Sequence, residues 1–276
     1  MVRGDFWDAS AWIGSWPFDG QGPCTLPRLQ RLLGEAGIAG GVISPLGAVL
    51  ATDPAPANRA LLPAVRRAGP GWVAAPVINP ALGDWEAETF RCLRQGARGV
   101  RLVPSYHLYP LEAAGLPRFE ALAVSWVPRA ARDALDGLDG LCRLAAAEAI
   151  PVAVQMRVSD ERAHHPWMRV PGVPPAEVAA LARRHPDGRF VACGATFGDL
   201  EVLGAVDNVW VEVSFVEASE TLIAAVALVR PERVLLGTHA PMFYPAVAVA
   251  KVGASDLPEA VRLQIAGGNA RDLWAV

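Results

Sequence analysis

Residues Phe6 to Gly20 read FWDASAWIGSWPFDG. The first seven of these residues form a short, mostly apolar run of the kind that predicts a β-strand. Because successive strand side chains point to opposite faces, Asp8, Ser10 and Trp12 are predicted to share one face. The chain therefore begins with a strand that turns polar groups and an indole toward the same side.

Further runs of this kind recur along the chain and alternate with stretches of helical periodicity, which is the pattern of repeated βα units over a parallel sheet. No GxGxxG follows the first run, so the open dinucleotide-binding sheet lacks its phosphate loop. Eight runs favour a single closed (β/α)8 barrel, an α/β fold, over residues 1–276. The runs are FWDASAW (from Phe6), GGVIS (Gly40), WVAAPVI (Trp72), GVRLV (Gly99), PVAVQMR (Pro151), FVACG (Phe190), VWVEVSF (Val209) and RVLLGTH (Arg233).

Composition excludes several classes of function. Hydrophobic residues make up 52% of the chain and charged residues 19%, which gives ample apolar surface for one core. The net charge of -3 provides no basic field for nucleic acid. No apolar stretch approaches the length of a membrane span, and the four cysteines form no CxxC pair. We therefore expect a soluble, cytoplasmic protein that acts on a small molecule; a homo-oligomer is left open.

Several predicted strands carry a polar residue on the face that would point into the barrel. Arg101 lies in the fourth run, Gln155 and Arg157 share a face of the fifth, Glu212 lies in the seventh, and His239 ends the eighth. Buried charge is unfavourable unless it is paired or used, so these residues predict either a hydrogen-bonded network or a functional floor to the barrel.

The segment DxSxWxG at Asp8–Gly14 resembles the DxHxHxG that begins amidohydrolase-related barrels, the group that holds metal-dependent hydrolases and several decarboxylases. Six further segments resemble the same family in order, over nearly the whole chain. They are GVRLVP at Gly99, PVAVQ at Pro151, FVACG at Phe190, NVWVEVS at Asn208, LLGTHAP at Leu235 and GGNARDLW at Gly267.

The resemblance also places the family's metal ligands on this chain. The family holds its metal with two histidines of strand one, histidines ending strands five and six, and an aspartate ending strand eight. These positions carry Ser10, Trp12, Gln155, Cys193 (or Gly194) and His239. Serine and glutamine are poor zinc ligands and tryptophan is none, so we expect no cofactor. The alternative is one divalent metal, Zn or Mn, at a relocated site that uses His164 or His165 with an acidic residue.

Two connections are longer than a barrel needs, at about residues 104–129 and 158–174, and long βα loops usually build a site over the mouth of a barrel. The second contains RVSDERAHHPW from Arg157, and the first contains PSYHLYPLE from Pro104. A solvated loop whose charges pair internally is the alternative interpretation. The loop residues that we single out as candidates are Tyr106, His107, Arg157, Asp160, Arg162, His164 and His165.

These groups predict acid-base chemistry on a small polar or carboxylate-bearing substrate. An imidazole can take a proton from water, a carboxylate can orient it, and a guanidinium can hold an oxyanion. We expect hydrolysis at a carbonyl carbon (lactone, ester or amide), with His239, His164, His165 and Asp160 as catalytic residues. The predicted substrate-binding residues are Arg101, Arg157, Arg162, Gln155, His107, Tyr106, Ser10, Trp12 and Glu212. The alternatives are a lyase, decarboxylase or isomerase on the same barrel, and a non-catalytic binding or scaffold barrel.

Overall fold

The computed structural model describes residues 6–18, 22–117, 127–163, 165 and 169–276. Within these ranges eight β-strands follow one another, and each paired strand runs parallel to its neighbour. This confirms the predicted α/β barrel. The strands are β1 Phe6–Ile13, β2 Ile38–Pro45, β3 Trp72–Ala74, β4 Val100–Leu102, β5 Pro151–Gln155, β6 Arg189–Cys193, β7 Val209–Glu212 and β8 Val234–Leu235.

Helices of the described chain lie between the strands and after β8. Thr25 begins the first of them, because its side chain accepts a hydrogen bond from the backbone N–H of Arg28. Pro175 lies in the first turn of another, where a missing N–H is tolerated. The helices are α1 Leu26–Glu35, α2 Ala55–Ala68, α3 Trp85–Arg94, α4 Pro104–His107, α5 Val127–Ala147, α6 Pro175–Arg184, α7 Leu200–Gly204, α8 Thr221–Leu228, α9 Pro245–Gly253, α10 Glu259–Leu263 and α11 Asn269–Trp274.

Backbone hydrogen bonds outside the regular ladders close the sheet into a barrel. Between β3 and β4, the N–H of Arg101 donates to Pro76 O over 2.8 Å. Between β8 and β1, Ala9 N donates to Leu236 O and His239 N donates to Ser10 O, each over 2.8 Å. Because both seams are hydrogen-bonded, no edge is left exposed at either of them.

Small side chains from several strands contribute to the apolar interior of the barrel. Ala9, Ala75 and Ala153 are fully buried there, and Trp274 of α11 packs into the same cluster. A larger apolar layer lies between the sheet and its surrounding helices. The interior is therefore packed like that of other (β/α)8 barrels, and the polar side chains Ser10, Arg101 and Gln155 lie toward its upper end.

Two of the predicted segments extend only partly into the described residues. The connection after β4 begins with α4 and includes residues 118–126, and the one after β5 includes His164 and residues 166–168, which lie outside the description. The interpretation of residues 1–276 as one domain with both loops over the mouth stays a prediction.

Candidate active site at the mouth of the barrel

Arg101 lies at the centre of the upper barrel, on β4. Its Nη1 donates to Ser10 Oγ over 3.2 Å and to Oε1 of Gln155, and its Cζ lies 4.4 Å from the centroid of the Trp12 ring. The side chain is fully buried. The sequence therefore placed Ser10, Trp12, Arg101 and Gln155 correctly on inward faces, and the structure brings all four into contact.

His239 lies beside this group with both ring nitrogens engaged. Trp12 Nε1 donates to Nδ1 over 3.3 Å, so the proton of the neutral ring is on Nε2, which lies 2.7 Å from Val158 O. Burial, followed by the charge of Arg101, lowers the pKa of His239 to about 3. This arrangement weighs against its use as a base toward water, although the predicted catalytic role is untested and stays a prediction.

Two phenylalanine rings separate His239 from the open cleft. Phe215 and Phe243 lie 5.0 Å and 5.3 Å from the imidazole, measured between ring centroids, and 4.7 Å from each other. The imidazole thus faces an aromatic layer, and the cleft above receives an apolar floor.

The cleft has a volume of about 450 Å³ and lies over the carboxyl ends of β5 to β8. Charged side chains form its walls and three phenylalanines its apolar surface. Its lining residues are Arg157, Asp160, Glu161, Arg162, Thr196, Phe197, Gly198, Phe215, Glu217 and Phe243. Polar groups over aromatic surface suit a small, ring-bearing polar molecule.

Arg157 is the least exposed cation of the cleft, with 18% of its side chain accessible. Its Nη1 donates to Asp199 Oδ2 over 2.7 Å and to Gly194 O over 3.2 Å, and its Nε lies 3.4 Å from Glu161 Oε1. Asp199 also accepts from the backbone and hydroxyl of Thr196. These contacts fix the guanidinium in place beside a carboxylate.

Asp160 and Arg162 form an ion pair with each other at the rim. Arg162 Nη2 lies 2.6 Å from Asp160 Oδ2, and 80% of the arginine side chain is exposed. The pairing agrees with the alternative of a solvated loop for these two residues. Their catalytic and substrate-binding roles stay predictions.

Tyr106 and His107 lie on α4 and are not among the residues that line the cleft, although the Tyr106 hydroxyl is hydrogen-bonded to the side chain of Ser159, which precedes the lining residues Asp160 and Glu161. The Tyr106 ring packs edge-on against Trp16 at 6.0 Å, and His107 Nε2 lies 3.0 Å from Ala48 O. Burial lowers the pKa of His107 to about 4. His165 is exposed, and His164 lies outside the described residues.

Glu212, the last residue of β7, is enclosed by hydrogen bonds from residues that follow β6 and β7. Its carboxylate accepts hydrogen bonds from Gly194 N over 2.6 Å and from the N–H and hydroxyl of Ser214 over 2.8 Å and 2.9 Å. This network agrees with a structural role in the barrel wall. Substrate binding by Glu212 stays a prediction.

Sequence reasoning missed the residues that complete the cleft across strands. Asp199, Phe215, Glu217 and Phe243 were not singled out. The signal for Asp199 was present, because a threonine followed three residues later by an acid after a strand indicates a capping box, and the structure has one at Thr196.

A model of the Amidohydrolase family matches residues 33–276. The chain belongs to the amidohydrolase family. The match begins within α1, so β1, which carries Ser10 and Trp12, precedes the matched region. A search among curated proteins finds no match.

Solved structures of this fold cover nearly the whole chain. A 5-carboxyvanillate decarboxylase from Sphingomonas paucimobilis has a TM-score of 0.67 at 15% identity, over 100% of both chains. A dihydroxybenzoic acid decarboxylase from Polaromonas, with manganese and 2-nitroresorcinol bound, has 0.66 at 17%, over 99% of this chain and 97% of the other. A Pseudomonas putida protein assigned as a 2-pyrone-4,6-dicarboxylic acid hydrolase has 0.64 at 18%, over 100% and 98%. At these identities the likeness concerns the fold.

The Polaromonas structure contradicts the expectation of no cofactor, since a barrel of this fold holds bound manganese. The family's ligand positions in this chain nevertheless do not fit that ion. Manganese prefers carboxylate, carbonyl and water ligands. Trp12 offers no donor, Gln155 Oε1 accepts from Arg101, and both nitrogens of His239 are occupied. Burial raises the pKa of the Cys193 thiol to about 12. The Arg101 cation also lies among these residues and would repel a second cation there.

Within the described residues no group of three or more His, Cys, Asp or Glu side chains is arranged to hold a metal. The relocated site with His164 or His165 therefore stays an untested alternative. Among the same residues no helix is both long and apolar enough to cross a membrane. A cytoplasmic location and a homo-oligomer stay predictions.

Proposed function

We propose that this member of the amidohydrolase family hydrolyses a small, polar, ring-bearing ester, lactone or amide in the cleft over β5 to β8. The observation that carries the proposal is the pairing of Arg157 with Glu161 at 3.4 Å, in a cleft with a phenylalanine floor. When a guanidinium and a carboxylate are held side by side, the guanidinium can stabilise an oxyanion and the carboxylate can accept a proton at the same reacting group.

Each residue has a defined part in this reaction. Phe215 and Phe243 pack against the ring of the substrate, and Glu161 takes a proton from the attacking water. The water oxygen bonds to the carbonyl carbon, and the negative charge that develops on the carbonyl oxygen is held by Arg157. When the bond to the leaving oxygen or nitrogen breaks, Glu161 returns the proton to the leaving group. The products are a carboxylic acid and an alcohol or amine.

Arg157 is suited to this part because its position does not depend on the substrate. Asp199 and Gly194 hold Nη1, so the guanidinium is oriented before a ligand binds. Such preorganisation avoids reorganisation of the site during the reaction, and this is what makes electrostatic stabilisation effective.

A direct assay tests the proposal. Lactones, aryl esters and pyrone carboxylates are incubated with the protein, and acid release is followed at constant pH together with loss of ring absorbance. We expect Glu161→Gln and Arg157→Lys each to lower kcat by about 100-fold. The control is Arg230→Gln, which removes an exposed ion pair with Asp207 outside the cleft and should stay within about twofold. Turnover by both cleft variants at the wild-type rate contradicts the proposal.

Decarboxylation is the second candidate. The floor formed by Phe215 and Phe243 favours it, because a carboxylate that leaves as CO₂ loses its charge, and an apolar contact favours the uncharged product. Two of the named solved structures are decarboxylases of aromatic acids. Release of labelled CO₂ from hydroxybenzoates, without acid release, would assign this reaction. Absence of turnover on both substrate classes would favour the alternative of a non-catalytic binding or scaffold barrel.

A further inference from the structure

Arg101 is a buried cation without a counter-ion. Its side chain is fully buried, and no carboxylate of the described residues lies within 4.0 Å of the guanidinium. The hydrogen-bond partners of Nη1 are neutral: the hydroxyl of Ser10 and the amide oxygen of Gln155. An isolated charge in the interior is strongly unfavourable, so its presence calls for an explanation.

Two buried carboxylates of the barrel strands, Asp8 and Glu212, are hydrogen-bonded to other groups. Asp8 accepts from Ser10 N and Thr238 N, each over 2.9 Å, and from the Thr238 hydroxyl. Glu212 accepts from Gly194 and Ser214. The carboxylates of Asp8 and Glu212 are therefore bonded to backbone and hydroxyl groups at the strand ends, and Arg101 stacks on the Trp12 ring instead of pairing with either of them.

The unpaired atoms of Arg101 are Nε and Nη2, both buried and without a hydrogen-bond partner in the described chain. These two N–H groups form one edge of the guanidinium, the edge that binds a carboxylate through two parallel hydrogen bonds. Ser10 and Gln155 occupy the opposite nitrogen, and Trp12 covers one face. The contacts present hold the group in place, and the edge that can recognise an anion has no hydrogen-bond partner among the described residues.

We propose that Arg101 forms a buried carboxylate site at the centre of the barrel. Nε and Nη2 bind the two oxygens of one carboxylate, and Ser10, Gln155 and Trp12 hold the guanidinium in position. This site is separate from the cleft around Arg157, and the proposal does not depend on either of the two reactions proposed above. Its ligand is either a free small acid or the carboxylate end of a ring-bearing molecule.

Thermal unfolding with added anions tests the site. Formate and benzoate are titrated against chloride at constant ionic strength. We expect the Tm of the wild type to rise by about 5 °C at a hundredfold excess over the dissociation constant. A rise with formate alone assigns a free small anion, and a rise with both assigns the carboxylate of a larger molecule. No rise with either probe overturns the proposal.

Two variants locate the response. Arg101→Met removes the charge, so without added anion its Tm should equal or exceed that of the wild type, and the anions should no longer raise it. Arg157→Gln should keep the full response, because its cation lies in the cleft. An equal rise in Arg101→Met, or a lost rise in Arg157→Gln alone, overturns the assignment.

Arg101→Lys provides a second route if Arg101→Met does not fold. Lysine keeps the charge but lacks the two-pronged edge, so the anion concentration needed for half the Tm rise should increase about tenfold. An unchanged midpoint overturns the proposal. Because binding is measured without turnover, the carboxylate site and the proposed hydrolysis can fail independently of each other.

Discussion

The indole Nε1 of Trp12 donates a hydrogen bond to Nδ1 of His239 over 3.3 Å, with the two rings edge to face. This contact joins β1 to the chain that follows β8 and fixes the neutral form of the imidazole, because Nδ1 must accept. Two positions that resemble metal-ligand positions of the family are thus bonded to each other.

Trp12→Phe should release Nδ1 of His239 for protonation. The pKa of His239 should rise above about 3 but stay below its ordinary value, because the burial that lowers it remains. NMR titration of the imidazole nitrogens measures the change. Trp210→Phe, in β7, is the matched control and should leave the titration unaltered. An unchanged pKa in Trp12→Phe would show that the indole does not hold the tautomer.

The hydrogen bond from Thr238 to Asp8, at the seam between β1 and β8, should contribute more to stability at high pH than at low pH, and Thr238→Val tests this. Burial raises the pKa of Asp8 to about 6, and the Thr238 hydroxyl bond offsets part of that rise. Above this pKa the hydroxyl donates to a carboxylate, and below it to an uncharged acid. Thr238→Val also leaves the N–H of Ala240 without its acceptor at either pH. The variant should therefore lower the free energy of unfolding by about 3–4 kcal/mol at about pH 8 and by about 2 kcal/mol at about pH 5.

Urea unfolding of both proteins at the two pH values measures this difference. Thr221→Val is a suitable control, since the Thr221 hydroxyl donates to the neutral carbonyl of Ala218. Its effect should not vary with pH. An equal loss for Thr238→Val at both pH values would mean that Asp8 does not change its charge over this range.

His107 should make the fold less stable in mild acid. In the unfolded chain its imidazole takes up a proton below about pH 6.5, but in the fold only below its lowered pKa of about 4. The unfolded state thus binds more protons in this window, and stability falls as pH falls through it. His239 acts in the same direction, and Asp8, whose pKa is raised to about 6, acts in the opposite one.

His107→Gln isolates the contribution of this residue. Between about pH 7 and about pH 5 the variant should lose about 1–2 kcal/mol less free energy of unfolding than the wild type. Chemical denaturation at both pH values gives the comparison, with the exposed His165→Gln as control. A variant with the same pH dependence as the wild type would exclude His107 as the cause.

Much of the barrel and part of the site could be predicted because they depend on short-range pattern. Strand alternation predicts that Ser10 and Trp12 share an inward face, and both contact Arg101 inside the barrel. It also predicts that Asp8 lies on that face, but a register shift in β1 between Asp8 and Ala11 interrupts the alternation there. The sheet then brings Gln155 of β5 within reach of Arg101 of β4, whose register partner is Ala153, because both side chains point into the barrel.

The cleft could not be predicted in this way. Arg157 and Asp199 are 42 residues apart in the chain, and their ion pair depends on how two loops pack over adjacent strands. Loop side chains have no fixed period, so their spacing in the sequence does not predict which way they point. The same limit applies to His239: its place at the end of β8 is readable, but its bonds to Trp12 and Val158 are set by tertiary packing.

Gly237 should tolerate no side chain. A Cβ built on it would lie 2.0 Å from Oε2 of Glu212, whose carboxylate is held by the Gly194 and Ser214 hydrogen bonds and cannot move without breaking them. Gly237→Ala should therefore lower the free energy of unfolding by about 3 kcal/mol. Gly253→Ala, at the end of α9 with no atom within 4 Å of the added Cβ, is the control and should change it by less than about 0.5 kcal/mol. Urea unfolding distinguishes the two, and equal stability would mean that the Glu212 carboxylate is free to shift.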